Sequence, residues 1–564
     1  MPLYLEGLEA ELSLSHMACV AWTPRLGFFA RDEHVHSSQT CIVKATDNSG
    51  VTPDSLTRTL EDFLVLARDA VVIEDGAVLF DLAQSKYSIS GEHNKCLIHL
   101  WSSERNIVRR VIDAQIKNEV LRLTVQRLGQ SEPGKLEICR ERDRRAPSVR
   151  RAARLAYQRV LHRVLEKSFA GFKVTQLSTS MNLERSFGPI YARGLIKRGQ
   201  SAFAVLGVSA EETQASIDSA LTFGILWLDL CRQTHAGKLV VEGLKLFVPT
   251  GCSALSGERI AHLDGAIAKW QLYELEEKEH SVREIDVCDY GNIDTHLLHS
   301  LDFHAAMQRF SNAVATVHAL MPEVEVAVLS PAEIAFRGKG LEFAKARLAH
   351  DRASLNSATE IVFGLGASER ILNVANFQAF EQLVRSIGEM RHLDGPRDHP
   401  LWRMHPERWL EALVGKEICA IDDCLDPTCV YSQVPAFSGL DRGMIDVLTV
   451  TRENRLAVLE LKADEDIHLP LQGLDYWSRV AWHHQRGEFQ KLGYFSNKEL
   501  SPQKPMLLLV APTLHIHPAT DTLLRYLSPE IDWTLVAIGE RWRENLEVIF
   551  RKRRKRPLPG TLVA

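Results

Sequence analysis

The spacing of apolar and polar positions changes several times along the chain, and each change marks a new set of elements. Up to about Gln130 the apolar runs are short and separated by turn formers. Ala70–Ile73 and Ala77–Phe80 flank Glu74-Asp75-Gly76, where Asp-Gly favours a tight hairpin, and Leu97–Trp101 and Val120–Leu128 read as further strands. With one helical stretch they predict a small mixed domain. Between Arg142 and Lys167 the spacing becomes helical. Leu155, Val160, Leu161 and Val164 recur on one side, among Arg144, Arg145, Arg150, Arg151, Arg154, Arg159 and Arg163. From about Thr175 to Glu389 helical and strand patterns alternate. Ser201–Val208, Leu239–Val248 and Trp270–Leu275 read as strands, and Ala210–Arg232 reads as one long buried helix.

The segment Leu393–Pro400, followed by His405-Pro406, combines a glycine with three prolines and cannot continue a helix, so a new domain begins beyond it. Glu407–Val414 then reads as a helix, with Pro406 ahead of it where a fixed φ suits the first turn. Val430–Val434, Gly443–Val450 and Leu456–Ala463 are strand patterns, the last two joined by a hairpin at Asn454. Leu471–Gln485 is helical, and the apolar runs Pro505–Ala511 and Thr534–Ile538 complete a sheet. A chain of 564 residues exceeds what one core can hold. Three domains are expected: 1–140 mixed α+β, 141–395 α/β opened by the basic helix, and 396–564 α/β ending in a basic tail.

Composition changes this picture little. An apolar fraction of 45% and a charged fraction of 25% are ordinary for soluble globular protein, and a net charge of -5 can conceal local basic surfaces. The longest apolar run, Ala220–Cys231, contains Asp229 and falls short of the roughly 20 residues a bilayer requires. The N-terminal MPLYLEGLEAELSLS has no basic region typical of a secretory signal, so a soluble cytoplasmic protein without membrane attachment is expected. Ten scattered cysteines form no disulfide framework, and Cys419, Cys424 and Cys429 read as reduced structural thiols. His296, His299 and His304 fit no metalloenzyme spacing and read as helix-surface residues. GxxxxGK[ST] is absent, and Arg337-Gly338-Lys339-Gly340 does not substitute for it, so no nucleotide-driven motor is encoded. Two basic segments stay open between phosphate contact and a solvated surface: the helix carrying Arg150 and Arg154, and the terminal RKRRKR from Arg551 to Arg556.

The chemistry concentrates near the C-terminus. Asp446 interrupts one apolar strand, and Glu460 and Lys462 interrupt the next. Positions i and i+2 of a strand share a face, and a hairpin would bring Asp446 beside them. Carboxylates and a lysine half-buried in apolar strands are costly unless they pair or hold a cation. A hard cation on carboxylate and carbonyl oxygens, with a lysine to position water, suits phosphodiester hydrolysis.

Asp446 followed by Glu460-Leu461-Lys462 resembles the D…(D/E)xK signature of the PD-(D/E)XK nuclease superfamily. Gln472 and Tyr476, one turn apart on the next helix, resemble the QxxxY motif of its RecB-like branch. Glu411, or else Glu407, stands where many members carry an acidic residue; no proline precedes Asp446, an absence common in that branch. The resemblance covers roughly residues 400–545. It implies a restriction-endonuclease-like core, a mixed sheet flanked by helices, preceded by the two other domains. It further implies Mg²⁺ or Mn²⁺ held by Asp446, Glu460 and the carbonyl of Leu461, with Glu411 joining directly or through water. Lys462 would orient the attacking water, Gln472 and Tyr476 would hold the nucleic-acid backbone, and His405 could add a ligand. The expected activity is hydrolysis of DNA in repair, recombination or defence, alone or with a separate motor or defence protein. RNA is not excluded as the target, and a nucleic-acid-binding protein that keeps the fold without cutting is the alternative.

Overall fold

The computed structural model describes residues 52–554 except 66, 68–69, 75–76, 83–84, 92–94, 102–105, 118–119, 128–132, 140–146, 183–185, 290–294, 351–356 and 439–442. Arg144, Arg145, the Asp75-Gly76 turn and the last two residues of RKRRKR lie outside them. The described residues form a mixed α/β structure with four sheets.

Helix α1 (Pro53–Val65) turns Leu56, Leu60, Phe63 and Leu64 onto the first sheet. Its strands are β1 (Val71–Glu74), β2 (Ala77–Asp81), β3 (Lys86–Ser90), β4 (Cys96–Trp101), β5 (Asn106–Lys117), β6 (Val120–Arg127) and β7 (Pro133–Cys139), in the order β2-β1-β7-β6-β5-β4-β3. Every pairing is antiparallel, including the expected β1–β2 hairpin.

The second sheet follows helix α2 (Pro147–Ser168), whose Tyr157, Leu161, Val164 and Leu165 are buried. It contains β8 (Lys173–Ser178), β9 (Ala192–Arg198), β10 (Ser201–Gly207), β11 (Val240–Pro249), β12 (Lys269–Glu276) and β13 (Ser281–Ile285) in consecutive order. The long helix read over Ala210–Arg232 is broken in two, α3 (Gln214–Asp218) and α4 (Ala220–Thr234). Thr213 caps α3 by accepting the Ser216 amide, a local bond that competes with continuous helix. α5 (Ala254–Ile260) connects β11 to β12.

His296, His299 and His304 do not share a helix. His296 lies on β14 (Thr295–Leu297), His299 in the loop beyond it, and His304 in α6 (Phe303–Arg309). α7 (Ser311–Leu320) and α8 (Phe377–Met390) cover the fourth sheet, β15 (Glu325–Ser330), β16 (Glu333–Gly338), β17 (Leu341–His350), β18 (Ser357–Phe363) and β19 (Arg370–Ile371). Residues 141–395 thus contribute strands to three sheets, because β14 pairs with the C-terminal one.

That third sheet runs β14-β20-β21-β22-β23-β24-β25. Short helix α9 (Pro400–Arg403) precedes α10 (Pro406–Lys416) and α11 (Ile418–Ile421). β20 (Tyr431–Ser438), β21 (Met444–Val450) and β22 (Leu456–Leu461) are antiparallel neighbours. α12 (Leu469–Gln485) and α13 (Glu488–Lys491) lead to β23 (Met506–Pro512), then α14 (Thr520–Arg525), β24 (Asp532–Ile538) and β25 (Val548–Arg553). β22, β23 and β24 run parallel, which explains their continuous apolar sequence: helices cover both faces.

The terminal basic run is not a tail over its described part. Arg551, Lys552 and Arg553 belong to β25, where Arg553 pairs with Asp422 at 2.6 Å and Lys552 with Asp521 at 2.7 Å. Alternating contacts with carboxylates and backbone carbonyls make an edge strand from residues that look like a solvated charge run. No helix among the described residues is long and apolar enough to cross a membrane.

Candidate active site

β21 and β22 pair from Val450↔Leu456 to Val447↔Leu459 and then part. Beyond that point the Leu461 amide donates to Asp446 Oδ2 at 3.0 Å instead of to a carbonyl of β21. Leu461's carbonyl lies on the same side of its strand as its amide, so it faces the same opening. Lys462 is one residue past the end of β22, yet its amide still bonds the Val510 carbonyl at 3.0 Å, keeping the backbone extended. Glu460 and Lys462 therefore project together, and the Lys462 ammonium lies 3.4 Å from Glu460 Oε1.

Glu460 is 3% exposed, and its Oε2 has no hydrogen-bond partner. Burial pushes its carboxyl well above the ordinary carboxylate range, and the charge of Asp446 pushes it the same way. Burial also raises Asp446, against the opposing Leu461 amide and Lys462 charge. Glu411 on α10 is buried, and its carboxyl is pushed up to about 7, chiefly by burial. Lys462 has acids at 3.4 Å (Glu460), 3.7 Å (Asp466) and 3.9 Å (Glu407). Burial works against its charge, but these carboxylates hold its pKa above the ordinary lysine value.

Two residues that the sequence did not single out hold Glu411 in place. Arg408 Nη1 donates to Glu411 Oε2 at 3.0 Å, and Gln433 Nε2 donates to the same oxygen at 2.6 Å. Gln433 also approaches Asp446 Oδ1 at 3.5 Å. It sits in β20 with a left-handed φ of 55, a conformation that costs a side-chain-bearing residue about 1 kcal/mol or more. A glutamine inside a strand pattern gave no warning of this, because φ is not legible from residue type.

The third sheet carries α12 down onto the site. A Cβ at Gly473 would lie 2.5 Å from the Leu509 side chain and 3.6 Å from Glu460 Cβ, so glycine permits this approach. Gln472, beside it, has its Oε1 buried without a partner. Tyr476 packs against Gly443 at the start of β21, and the Arg479 guanidinium lies 5.8 Å from its ring. His405 caps α10 with φ 47 and is exposed, and its carbonyl accepts from Arg391 at 3.2 Å. The structure does not bring Arg154 into this group. Its guanidinium grips Glu212 with bonds of 2.5 and 3.1 Å, whereas Arg150 is exposed on α2.

Asp446, Glu460, Glu411, Glu407 and Asp466 are five carboxylates facing two cations, Lys462 and Arg408. Hard oxygen donors, more carboxyl groups than cations and the orphaned Glu460 Oε2 fit a divalent cation held by Asp446, Glu460 and the Leu461 carbonyl. Among the described residues no three His, Cys, Asp or Glu side chains already converge as a ligand set, and Glu411 is turned toward Arg408 and Gln433. Its participation requires a side-chain rotation or a bridging water.

No family model matches this chain, and a search of curated proteins finds no similar sequence.

Proposed function

We propose that the chain is a divalent-metal-dependent phosphodiesterase that hydrolyses DNA, built on the PD-(D/E)XK plan. The observation carrying this reading is Glu460: a buried carboxylate with an unpartnered oxygen, beside Asp446 and Lys462, where two strands part. An apolar or singly charged site there would be more stable, so the cluster is explained by what it binds. The helix–strand–strand–strand–helix–strand–strand succession around it agrees with the superfamily's core and supports the same reading.

Mg²⁺ or Mn²⁺ at Asp446, Glu460 and the Leu461 carbonyl would supply charge neutralisation at the scissile phosphate. Lys462 keeps its proton beside three acids and donates to the attacking water or to a phosphoryl oxygen. Glu411 and Gln433 fix the orientation of Asp446 through a continuous hydrogen-bond chain. Gln472 and Tyr476 lie along α12 on the approach to these groups, where they would contact the substrate backbone.

Labelled single- and double-stranded DNA and matched RNA, incubated with Mg²⁺, Mn²⁺ or EDTA, test this reading in wild type and Lys462→Ala. Metal-dependent DNA cleavage lost in the variant is expected. RNA-only cleavage would overturn the choice of substrate, and binding without cutting in any metal would overturn the enzymatic reading.

A further inference from the structure

The second and third sheets repeat one another. Apart from the short helices α3, α11 and α13, α2 is followed by β8, β9, β10, then α4, β11, α5, β12 and β13, and α10 by β20, β21, β22, then α12, β23, α14, β24 and β25. Both runs have the same pairing order, and both have the same strand senses. Antiparallel β8/β9 and β9/β10 match β20/β21 and β21/β22. Parallel β10/β11 and β11/β12 match β22/β23 and β23/β24, and each run closes on an antiparallel strand.

Shared topology alone could arise twice by chance. The contact between the two runs is an independent observation, because it is reciprocal. Leu263, just after α5, forms a β-bridge with Leu527, just after α14. The Asp264 amide donates to the Tyr526 carbonyl at 2.8 Å, and the Ser528 amide donates to the His262 carbonyl at 2.8 Å. Arg259 of α5 grips Asp475 of α12 at 2.8 Å, while Arg525 of α14 reaches Asp229 of α4 at 3.2 Å. The caps of the long helices also meet, Ser219 against His468. One apolar core runs through both copies. A surface patch that meets its own equivalent is the mark of twofold symmetry, here within one chain.

Register then identifies what stands at each reacting position in the first copy. The Val208 amide donates to the Phe247 carbonyl at 3.1 Å, as Lys462 does to Val510 at 3.0 Å, so Val208 takes the place of Lys462. Leu206 accordingly takes the place of Glu460. Arg193 is paired opposite Leu206, and the β21–β22 register, carried one step past its last pair Val447↔Leu459, sets Asp446 opposite Glu460. Arg193 is buried, donates to the Ser180 carbonyl, and lies over the rings of Phe187 at 4.6 Å and Trp227 at 5.8 Å. Gly207 lets the helix close onto the strand, since a Cβ there would lie 2.5 Å from Tyr157 Oη. A fixed guanidinium beside leucine and valine repels a divalent cation and offers no oxygen to it.

We infer that residues 147–285 are a catalytically silent copy of the C-terminal fold, joined to it about a pseudo-twofold axis near Leu263 and Leu527. Of the two copies only the C-terminal one therefore carries a hydrolytic centre, so the pair opens one strand of a duplex per binding event. The strand count rests on the proposed phosphodiesterase; the single metal centre does not require that DNA be the substrate.

Two measurements on the full chain test this. Supercoiled plasmid is mixed with excess enzyme and Mn²⁺, and products are resolved over time. Open circles accumulating ahead of linear DNA are expected, whereas linear DNA formed in step with the loss of supercoils overturns the inference. Separately, saturable Mn²⁺ binding is counted by the loss of the free-ion electron paramagnetic resonance signal, in wild type and in Glu460→Gln. All saturable binding should vanish in the variant. A saturable site that survives, or no saturable site in the wild type, overturns the single-centre claim. Absence of cutting together with Mn²⁺ binding lost in Glu460→Gln leaves the single centre standing and sinks the nuclease reading.

Discussion

Glu460→Gln should stabilise the metal-free protein while removing its function. In the wild type the buried carboxylate has one oxygen without a partner and lies beside Asp446. An orphaned buried acceptor costs about 1–3 kcal/mol, more when charged. A glutamine of the same shape is neutral, and its amide can donate to Asp446, so most of that cost is recovered. At about 2–4 °C per kcal/mol, the melting temperature at pH 8 should rise by roughly 2–10 °C. The sign with pH follows from the raised pKa. The folded protein keeps a proton on Glu460 that the unfolded chain has already released, so the wild-type penalty is absent at low pH. It grows as pH climbs past the ordinary carboxylate value. The stabilisation should therefore shrink toward zero at pH 4–5, where wild type and variant both hold a neutral group. Mn²⁺ at a thousandfold excess over Kd should reverse the ranking, because only the wild type gains its binding energy, about 4.1 kcal/mol. Calorimetric scans at pH 5 and pH 8, with EDTA or Mn²⁺, check all three statements. A variant less stable than wild type at pH 8 in EDTA, or a gain independent of pH, would refute the idea that Glu460 is held against its electrostatic preference.

Glu411, raised to about 7 by burial, should make metal-free stability fall as pH rises from about 4.5 to 7. A shift of that size corresponds to about 3 kcal/mol, and Glu411→Gln should flatten this part of the stability–pH curve measured by urea unfolding. Arg391 is fully buried and donates to the carbonyls of Lys339, Leu401, Met404 and His405, tying β16–β17 to the start of α10. Arg391→Lys keeps the charge but cannot span four acceptors, so a loss of about 3 kcal/mol is expected, along with slower metal-dependent cleavage because α10 carries Glu411. Arg154→Ala should cost about 1 kcal/mol of stability through Glu212 and leave the salt dependence of DNA binding unchanged. A shallower salt slope in that variant would instead restore Arg154 as a phosphate contact.

Read alone, the sequence does not specify β25 or the short helices α11, α13 and α14, but it does specify the main elements from the helix after Pro406 to β24. Their apolar runs are long, their turns are marked by Asn454 and proline, and the burial of β22 and β23 on both faces leaves no ambiguity of period. It also determined that Asp446, Glu460 and Lys462 would meet, since adjacent strands of a hairpin bring them together by geometry alone. Other features depended on partners distant in the chain. Arg551 to Arg553 stayed open between phosphate contact and a solvated tail in sequence; Asp422 and Asp521, with the Ala420 and Ile421 carbonyls, make them an edge strand. Gln433 and Arg408 carry no signal of their own, and only the fold places them around Glu411. The repetition of the fold in residues 147–285 was invisible for a related reason. Its strands keep the apolar pattern, but Arg193, Leu206 and Val208 stand where the chemistry would be, and reciprocal packing at Leu263 and Leu527 exists only in three dimensions. Local periodicity fixes elements; charges acquire meaning only from what the tertiary structure sets against them.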